Sequence, residues 1–147
     1  MAIASAKLAY QIYKELFNSA RFQKLSSHKA QTQRLLWAST STKNPAYSDV
    51  KYVEPLIGPD TINTLPAETL DLYRGHGNPA PRLEEDVDQA RHVFDSLTWL
   101  GIDLEKITQS LEEDGVSKFV KAFDLLMETL KARQKSALGE PIDQQSL

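Results

Sequence analysis

The chain has 147 residues, 41% hydrophobic and 25% charged, which suits one ordinary globular domain and is too short for a whole (β/α)8 barrel of about 250 residues. Seventeen basic residues against 20 acidic ones leave a net charge of −3, so global charge offers no attraction to nucleic acid or to an anionic membrane. With no cysteine, no apolar run near the roughly 18 residues of a membrane span and no secretory signal pattern, thiol chemistry is excluded and a cytoplasmic setting is expected.

In chain order, Ile3, Ala6, Tyr10, Tyr13, Phe17 and Ala20 recur at spacings of three and four. Residues 3–25 are therefore expected to form a helix whose apolar stripe needs a partner surface. Polar residues 26–33 follow as a loop. Two segments read as strands: 34–39, with its four consecutive apolar residues Leu35-Leu36-Trp37-Ala38, and 51–57. Runs of that length suit strands buried on both faces of a parallel sheet. The segment 42–49, with the Asn44-Pro45 turn signal, is the loop between them, and no two-residue hairpin turn joins the pair. Gly58-Pro59-Asp60-Thr61 is turn chemistry, followed by a short helical piece to Thr64. Pro66 then opens a helix ending near Gly75, and 81–83 is room for a very short last strand.

From Glu84, the residues Val87, Ala90, Val93, Phe94, Leu97 and Leu100 mark another amphipathic helix, with Glu84-Glu85-Asp86 in its favoured acidic first turn. Gly101 stops it, Asp103 caps a helix over 104–113, and Asp114-Gly115 breaks the chain again. Val116, Phe119, Val120, Phe123, Met127 and Leu130 define a final helix. Residues 134–147 read as a polar, disordered tail after a folded part of 1–133. Alternation of this kind means an α/β fold with a parallel sheet. Two or three parallel strands alone make a poor sheet with naked edges, so the pattern points to part of a barrel. Such edges invite association with further strands or further copies.

The segment Leu35-Leu36-Trp37-Ala38-Ser39-Thr40-Ser41-Thr42-Lys43-Asn44-Pro45, followed by Tyr47-Ser48-Asp49, resembles the C-terminal half of a transaldolase. The likeness is to the bacterial type also found fused to sugar-phosphate isomerase. Lys7-Leu8-Ala9-Tyr10, Tyr52-Val53-Glu54-Pro55-Leu56-Ile57, Asn63-Thr64-Leu65-Pro66 and Leu100-Gly101-Ile102-Asp103-Leu104 extend the resemblance over about residues 2–132. It implies the C-terminal part of a (β/α)8 (TIM) barrel: strands six to eight with their helices, plus C-terminal helices. Transaldolases of the pentose phosphate pathway move a dihydroxyacetone unit between sugar phosphates through a lysine Schiff base, without metal or organic cofactor. In the family that lysine lies on the fourth strand and the acid/base Asp and Glu on earlier ones; none of those segments matches residues 1–147. What the resemblance leaves here is a serine, matching Ser39, and a nearby basic residue for substrate phosphate, matching Lys43. Better-known members carry Arg two residues after the serine, whereas Lys43 follows Ser39 by four.

From the residues themselves, Ser39 and Lys43 follow a strand toward the functional face of a parallel barrel, where a hydroxyl beside an ammonium suits phosphate. The plainer alternative is a capped strand end with a solvated lysine. A Schiff base on Lys43 itself would need burial or a neighbouring cation to lower its pKa, and a polar loop supplies neither. His28, His76 and His92 lack metal-ligand spacing, and His76 between two glycines reads as a turn residue. Glu84-Glu85-Asp86 and Glu112-Glu113-Asp114 serve a helix start and a solvated helix end rather than paired catalysis. The Tyr10, Tyr13, Phe17 stripe is more cheaply explained by packing than by a ligand groove. The expectation is a transaldolase segment that binds a sugar phosphate, with no activity of its own. The rival readings are a non-enzymatic interaction module and a half that complements a separate N-terminal fragment.

Overall fold

Helix α1 (Ala2–Asn18) buries Ala4, Lys7 and Tyr10, a spacing of three that lays one stripe along the protein. The computed structural model describes residues 1–139 and divides into two units, Met1–Leu100 and the part from Gly101 onward. In the first unit α1 is followed by α2 (Ala20–Ser26), β1 (Leu35–Trp37), a 3-10 turn (Glu54–Leu56), β2 (Thr61–Asn63), α3 (Ala67–His76) and α4 (Val87–Trp99). The second unit contains α5 (Leu104–Ala137).

The core of the first unit is Tyr10, Leu56 and Leu83, ringed by Ile3, Ala6, Tyr13, Leu35 and Trp37. Leu83 is only 1% exposed. Its backbone N–H and that of Arg82 both donate to the Ile57 carbonyl, each at 3.0 Å, so the chain before α4 is tied to the chain after the 3-10 turn. Two lysines of α1 grip the next residues. Buried Lys7 donates from Nζ to the Glu85 carbonyl at 2.6 Å, and Lys14 pairs with the Glu84 carboxylate. Asp86, in the left-handed region at φ 52°, then turns the chain into α4, which packs on α1 through buried Ala90.

β1 and β2 pair parallel, Leu35 opposite Thr61, Leu36 opposite Ile62 and Trp37 opposite Asn63. Leu35 and Trp37 face the core, while Leu36 and Ile62, opposite each other in register, are both exposed. The fold is therefore α/β with a small parallel sheet, as the alternating pattern implies.

Several boundaries differ from the sequence reading. The helix expected over 3–25 is two helices: Ser19 is extended (φ −64°, ψ 149°), and its hydroxyl accepts from the Phe22 N–H at 3.2 Å, capping α2. The strand expected over 34–39 is confined to 35–37, because Ser39 turns to φ 57°. The strand expected over 51–57 is a turn and a 3-10 helix. Pro55 lacks the N–H a ladder requires, and Val53 and Leu56, three apart, both turn to the interior. The strand lies instead where a short helical piece was expected, at Thr61-Ile62-Asn63. No strand forms at 81–83, where the chain runs into a turn over 83–86, and helix α4 starts at Val87 rather than Glu84. Two strands, not three, thus make up the sheet among the described residues.

In the second unit, Gly101 stops α4 at φ 73° and Asp103 caps α5 by accepting from the Lys106 N–H at 3.1 Å, both as expected. The break expected at Asp114-Gly115 does not occur, for α5 runs unbroken through it. An interior glycine costs only about 1 kcal/mol. Lys118 reaches back over Gly115 to Asp114 at 2.6 Å, and Gln109 pairs with Glu113 at 3.0 Å in the turn before it. α5 also continues through Gln134–Ala137, where the tail was expected to begin, and residues 140–147 of that tail lie outside the described residues.

A Cβ built on Gly58 would lie 2.6 Å from Leu83 Cδ2 and 2.7 Å from Leu83 Cβ, closer than packed carbons approach. Gly58→Ala should therefore lower stability by about 1–3 kcal/mol, the cost of overpacking a filled core. The urea midpoint measures it; an unchanged midpoint would show that the crossing at Gly58 is not a constraint.

Candidate functional site

Because β1 and β2 run parallel, their C-terminal ends open on the same side of the sheet. There the chains interlock. The Trp37 carbonyl, last in β1, accepts from both the N–H (2.9 Å) and the hydroxyl (3.1 Å) of Thr64. Three residues on, Thr40 is buried at 4% exposure, and its hydroxyl donates to Asn63 Oδ1 at 2.8 Å. Ser39 stands between these attachments, exposed and at φ 57°. For an L-residue that conformation costs about 1–2 kcal/mol, so the flanking bonds hold what the serine alone would not adopt.

Lys43 lies four residues further along the same connection, exposed, with no ion pair or hydrogen bond among the described residues. The loop that carries it is ordered by its own side chains. The Thr42 hydroxyl reaches the carbonyls of Ser48 (2.9 Å) and Asp49 (3.4 Å), closing the neck. Asn44 Oδ1 accepts from the Ala46 N–H at 3.0 Å, the Asx turn that Asn-Pro implies. Lys51 Nζ sits 3.1 Å from the Tyr47 ring centroid. His76, the last residue of α3 rather than a turn residue, pairs through Nε2 with Asp49 Oδ2 at 3.2 Å, tying α3 to the loop's neck. The structure thus sets Ser39 and Lys43 in one ordered connection at the strand ends, without a direct bond between them.

The other sequence candidates are brought into structural roles. Glu84 is bound to Lys14, Glu113 to Gln109 and Asp114 to Lys118. The three histidines are not gathered, and among the described residues no group of three or more metal-ligating side chains is found. No helix of the described residues is long and apolar enough to cross a membrane. Tyr10 and Tyr13 stack at 5.8 Å between centroids, and Tyr13 and Phe17 follow at 4.9 Å. They pack, and burial first, then Glu84, Asp60 and Tyr13, pushes the Tyr10 phenol above its ordinary pKa. Thr40, Asn63 and Thr64 escape a reading by strand periodicity. Their one sequence signal is that Thr40 lies in the Trp37-Ala38-Ser39-Thr40 run, and Asn63 and Thr64 in the Asn63-Thr64-Leu65-Pro66 run, that carry the family resemblance.

A family model described as Transaldolase/Fructose-6-phosphate aldolase matches residues 1–130. Among curated proteins, a transaldolase of Trichodesmium erythraeum is 44% identical over 137 residues, which is 92% of this chain and 36% of the relative. A transaldolase 2 of Nostoc punctiforme is 46% identical over the same shares, and a transaldolase of Thiobacillus denitrificans 48% identical over 86% of this chain and 35% of the relative. The chain thus spans about a third of the length of these relatives.

At φ 57° glycine is at no disadvantage and a β-branched residue is at a large one. Ser39→Gly should be neutral to about 1 kcal/mol stabilising, whereas Ser39→Val should cost about 1–2 kcal/mol. Chemical denaturation of the two variants checks the order, and the reverse order would show that Ser39 is not held left-handed in solution.

Proposed function

The chain belongs to the transaldolase/fructose-6-phosphate aldolase family, and from that premise we propose that it is part of a transaldolase barrel whose residues supply the grip on substrate phosphate. The reaction is the transfer of a dihydroxyacetone unit from a ketose phosphate to an aldose phosphate. A lysine amine of the enzyme condenses with the ketone and releases water. The resulting iminium draws in the electron pair as the carbon–carbon bond one carbon away breaks and the hydroxyl beyond it loses its proton to a base. An aldose phosphate leaves, the three-carbon unit adds to the acceptor aldehyde, and water hydrolyses the new iminium, releasing the product ketose phosphate and the lysine amine. The family's lysine and its acid/base carboxylates belong to strands that residues 1–147 do not match, so this segment holds phosphate and leaves the bond chemistry to other strands. A cytoplasmic setting suits substrates whose charge keeps them from crossing membranes.

One observation carries this reading: Ser39, the residue matching the family's serine, stands exposed where both parallel strands end, the face of such barrels that carries function. Lys43, exposed in the same connection and without a partner among the described residues, is the point charge for phosphate. The barrel is supported by the sheet itself. Leu36 and Ile62 form an apolar pair 52% and 36% exposed, and each strand keeps an outer edge. A two-stranded sheet is at most marginal alone, and this one presents the edge and face that further strands would cover. Of the three strands expected in this C-terminal part of the barrel, six to eight, the sheet of the described residues contains two, read as two successive barrel strands.

Two results test the proposal. Incubated with fructose 6-phosphate and borohydride, the chain should show no stoichiometric adduct by intact mass. An adduct on one lysine would place the Schiff base within these residues and overturn the division of labour. In binding, Lys43→Ala should weaken fructose 6-phosphate by about one to two orders of magnitude, the worth of a charge-assisted hydrogen bond of roughly 1.5–3 kcal/mol. Unphosphorylated fructose should be unaffected, and an equal loss for both sugars would make Lys43 a solvated lysine.

A further inference from the structure

The termini of the two strands form a clamp whose two jaws close on either side of the pair Ala38-Ser39. On one side of Ser39, Thr64 holds the Trp37 carbonyl with two hydrogen bonds, at 2.9 Å from its N–H and 3.1 Å from its hydroxyl. On the other side, Asn63 Oδ1 holds the buried Thr40 hydroxyl at 2.8 Å. Both jaws belong to β2 and the residue after it, while the serine belongs to the connection after β1. Ser39 is left as a short arch, forced to φ 57° with its side chain exposed. The Thr40 side chain is turned inward, where Asn63 is its partner. Its buried hydroxyl, at 4% exposure, would otherwise have no partner, at a cost of about 1–3 kcal/mol, comparable with the strain carried by Ser39.

We propose that Thr40, Asn63 and Thr64 are positioning residues that hold the Ser39 hydroxyl in its binding orientation. The proposal rests on the phosphate reading of Ser39. None of the three need touch the ligand. Their contribution is to remove the alternatives open to the serine before the ligand arrives, which spares binding the cost of ordering it. Asn63 matters as an acceptor rather than for its size, because the Thr40 hydroxyl donates to it. Thr64 matters through its hydroxyl as well as its backbone.

The experiment uses the whole chain, isotope-labelled, with two independent readouts. The first is free of ligand: a residue held at positive φ gives a strong intraresidue amide-to-Hα NOE, read at Ser39. The second is the affinity for fructose 6-phosphate relative to fructose. The wild type and Thr40→Ser, which keeps the hydroxyl, should show the NOE and the phosphate preference. Thr40→Val and Asn63→Leu should lose the NOE and weaken fructose 6-phosphate roughly tenfold, the loss of one well-formed hydrogen bond to a charged group. An NOE and an affinity unchanged in both variants would overturn the clamp. Should Thr40→Val fail to fold, Thr64→Val, at an exposed position, removes only the hydroxyl bond to Trp37 and keeps the N–H bond; the NOE at Ser39 should weaken there too, and an unaltered one counts against the clamp. A wild type that binds the two sugars equally overturns the phosphate reading alone, and the NOE then decides the clamp by itself.

Discussion

The approach of Leu83 to Gly58 is the contact on which the rest of the first unit depends. Three distant stretches of chain meet there: Tyr10 from α1, Leu56 from the 3-10 turn, and Leu83 from the passage into α4. The crossing is close because the Ile57 carbonyl accepts from two successive N–H groups, of Arg82 and Leu83, and only a residue without a side chain fits beneath them. Burying the leucine contributes roughly 1.5–3 kcal/mol. Its geometric consequence is larger. With the crossing set, the Leu56 carbonyl is placed to accept from Trp37 Nε1 at 3.2 Å, which anchors β1. The Gly58 carbonyl is placed to accept from the Thr61 hydroxyl at 2.8 Å, which starts β2.

From that anchoring the site follows. Three residue pairs of parallel ladder are too few to hold two strands in register by themselves. The register is reinforced from both ends, by the core below and by the side chains of Thr40, Asn63 and Thr64 above. The same bonds that end the sheet also bend the chain at Ser39. The strain at that residue and the order of the strand pair are therefore one feature, not two. The connection beyond it is closed by Thr42 and tied by Asp49 to His76, so Lys43 extends from a loop whose neck is held by side-chain bonds.

The elements best legible in the sequence were those whose signal is local. The stripe of α1, the glycine stop at Gly101 and the Asp103 cap depend on residues within a turn of one another, and all are found in the structure. The errors share a cause. Residues 51–57 have strand-like composition, yet Val53 and Leu56 are both drawn inward by one core, which a helical turn permits and a strand does not. Thr61-Ile62-Asn63 looks like the sequel to a turn until β1 lies beside it. At Asp114-Gly115 the opposite happened: the local breakers do not interrupt α5, and Lys118 bridges back over Gly115 to Asp114.

For the site, the Trp-Ala-Ser-Thr run with its Lys-Asn-Pro sequel pointed to Ser39 and Lys43, since residue type and order are properties of the chain alone. The same residues carry the likeness to the family. What no reading along the chain could supply is the company Ser39 keeps. Asn63 lies 23 residues beyond Thr40 in sequence, and Thr64 lies 27 beyond Trp37. Their meeting depends on parallel pairing, which in turn depends on the crossing of Leu83 over Gly58. The sequence by itself determined helix faces, caps and the chemical types at the strand's end. Only the tertiary structure decided which strands exist, where they stop and what bends the serine, because each of those rests on hydrogen bonds between segments whose separation no local pattern encodes.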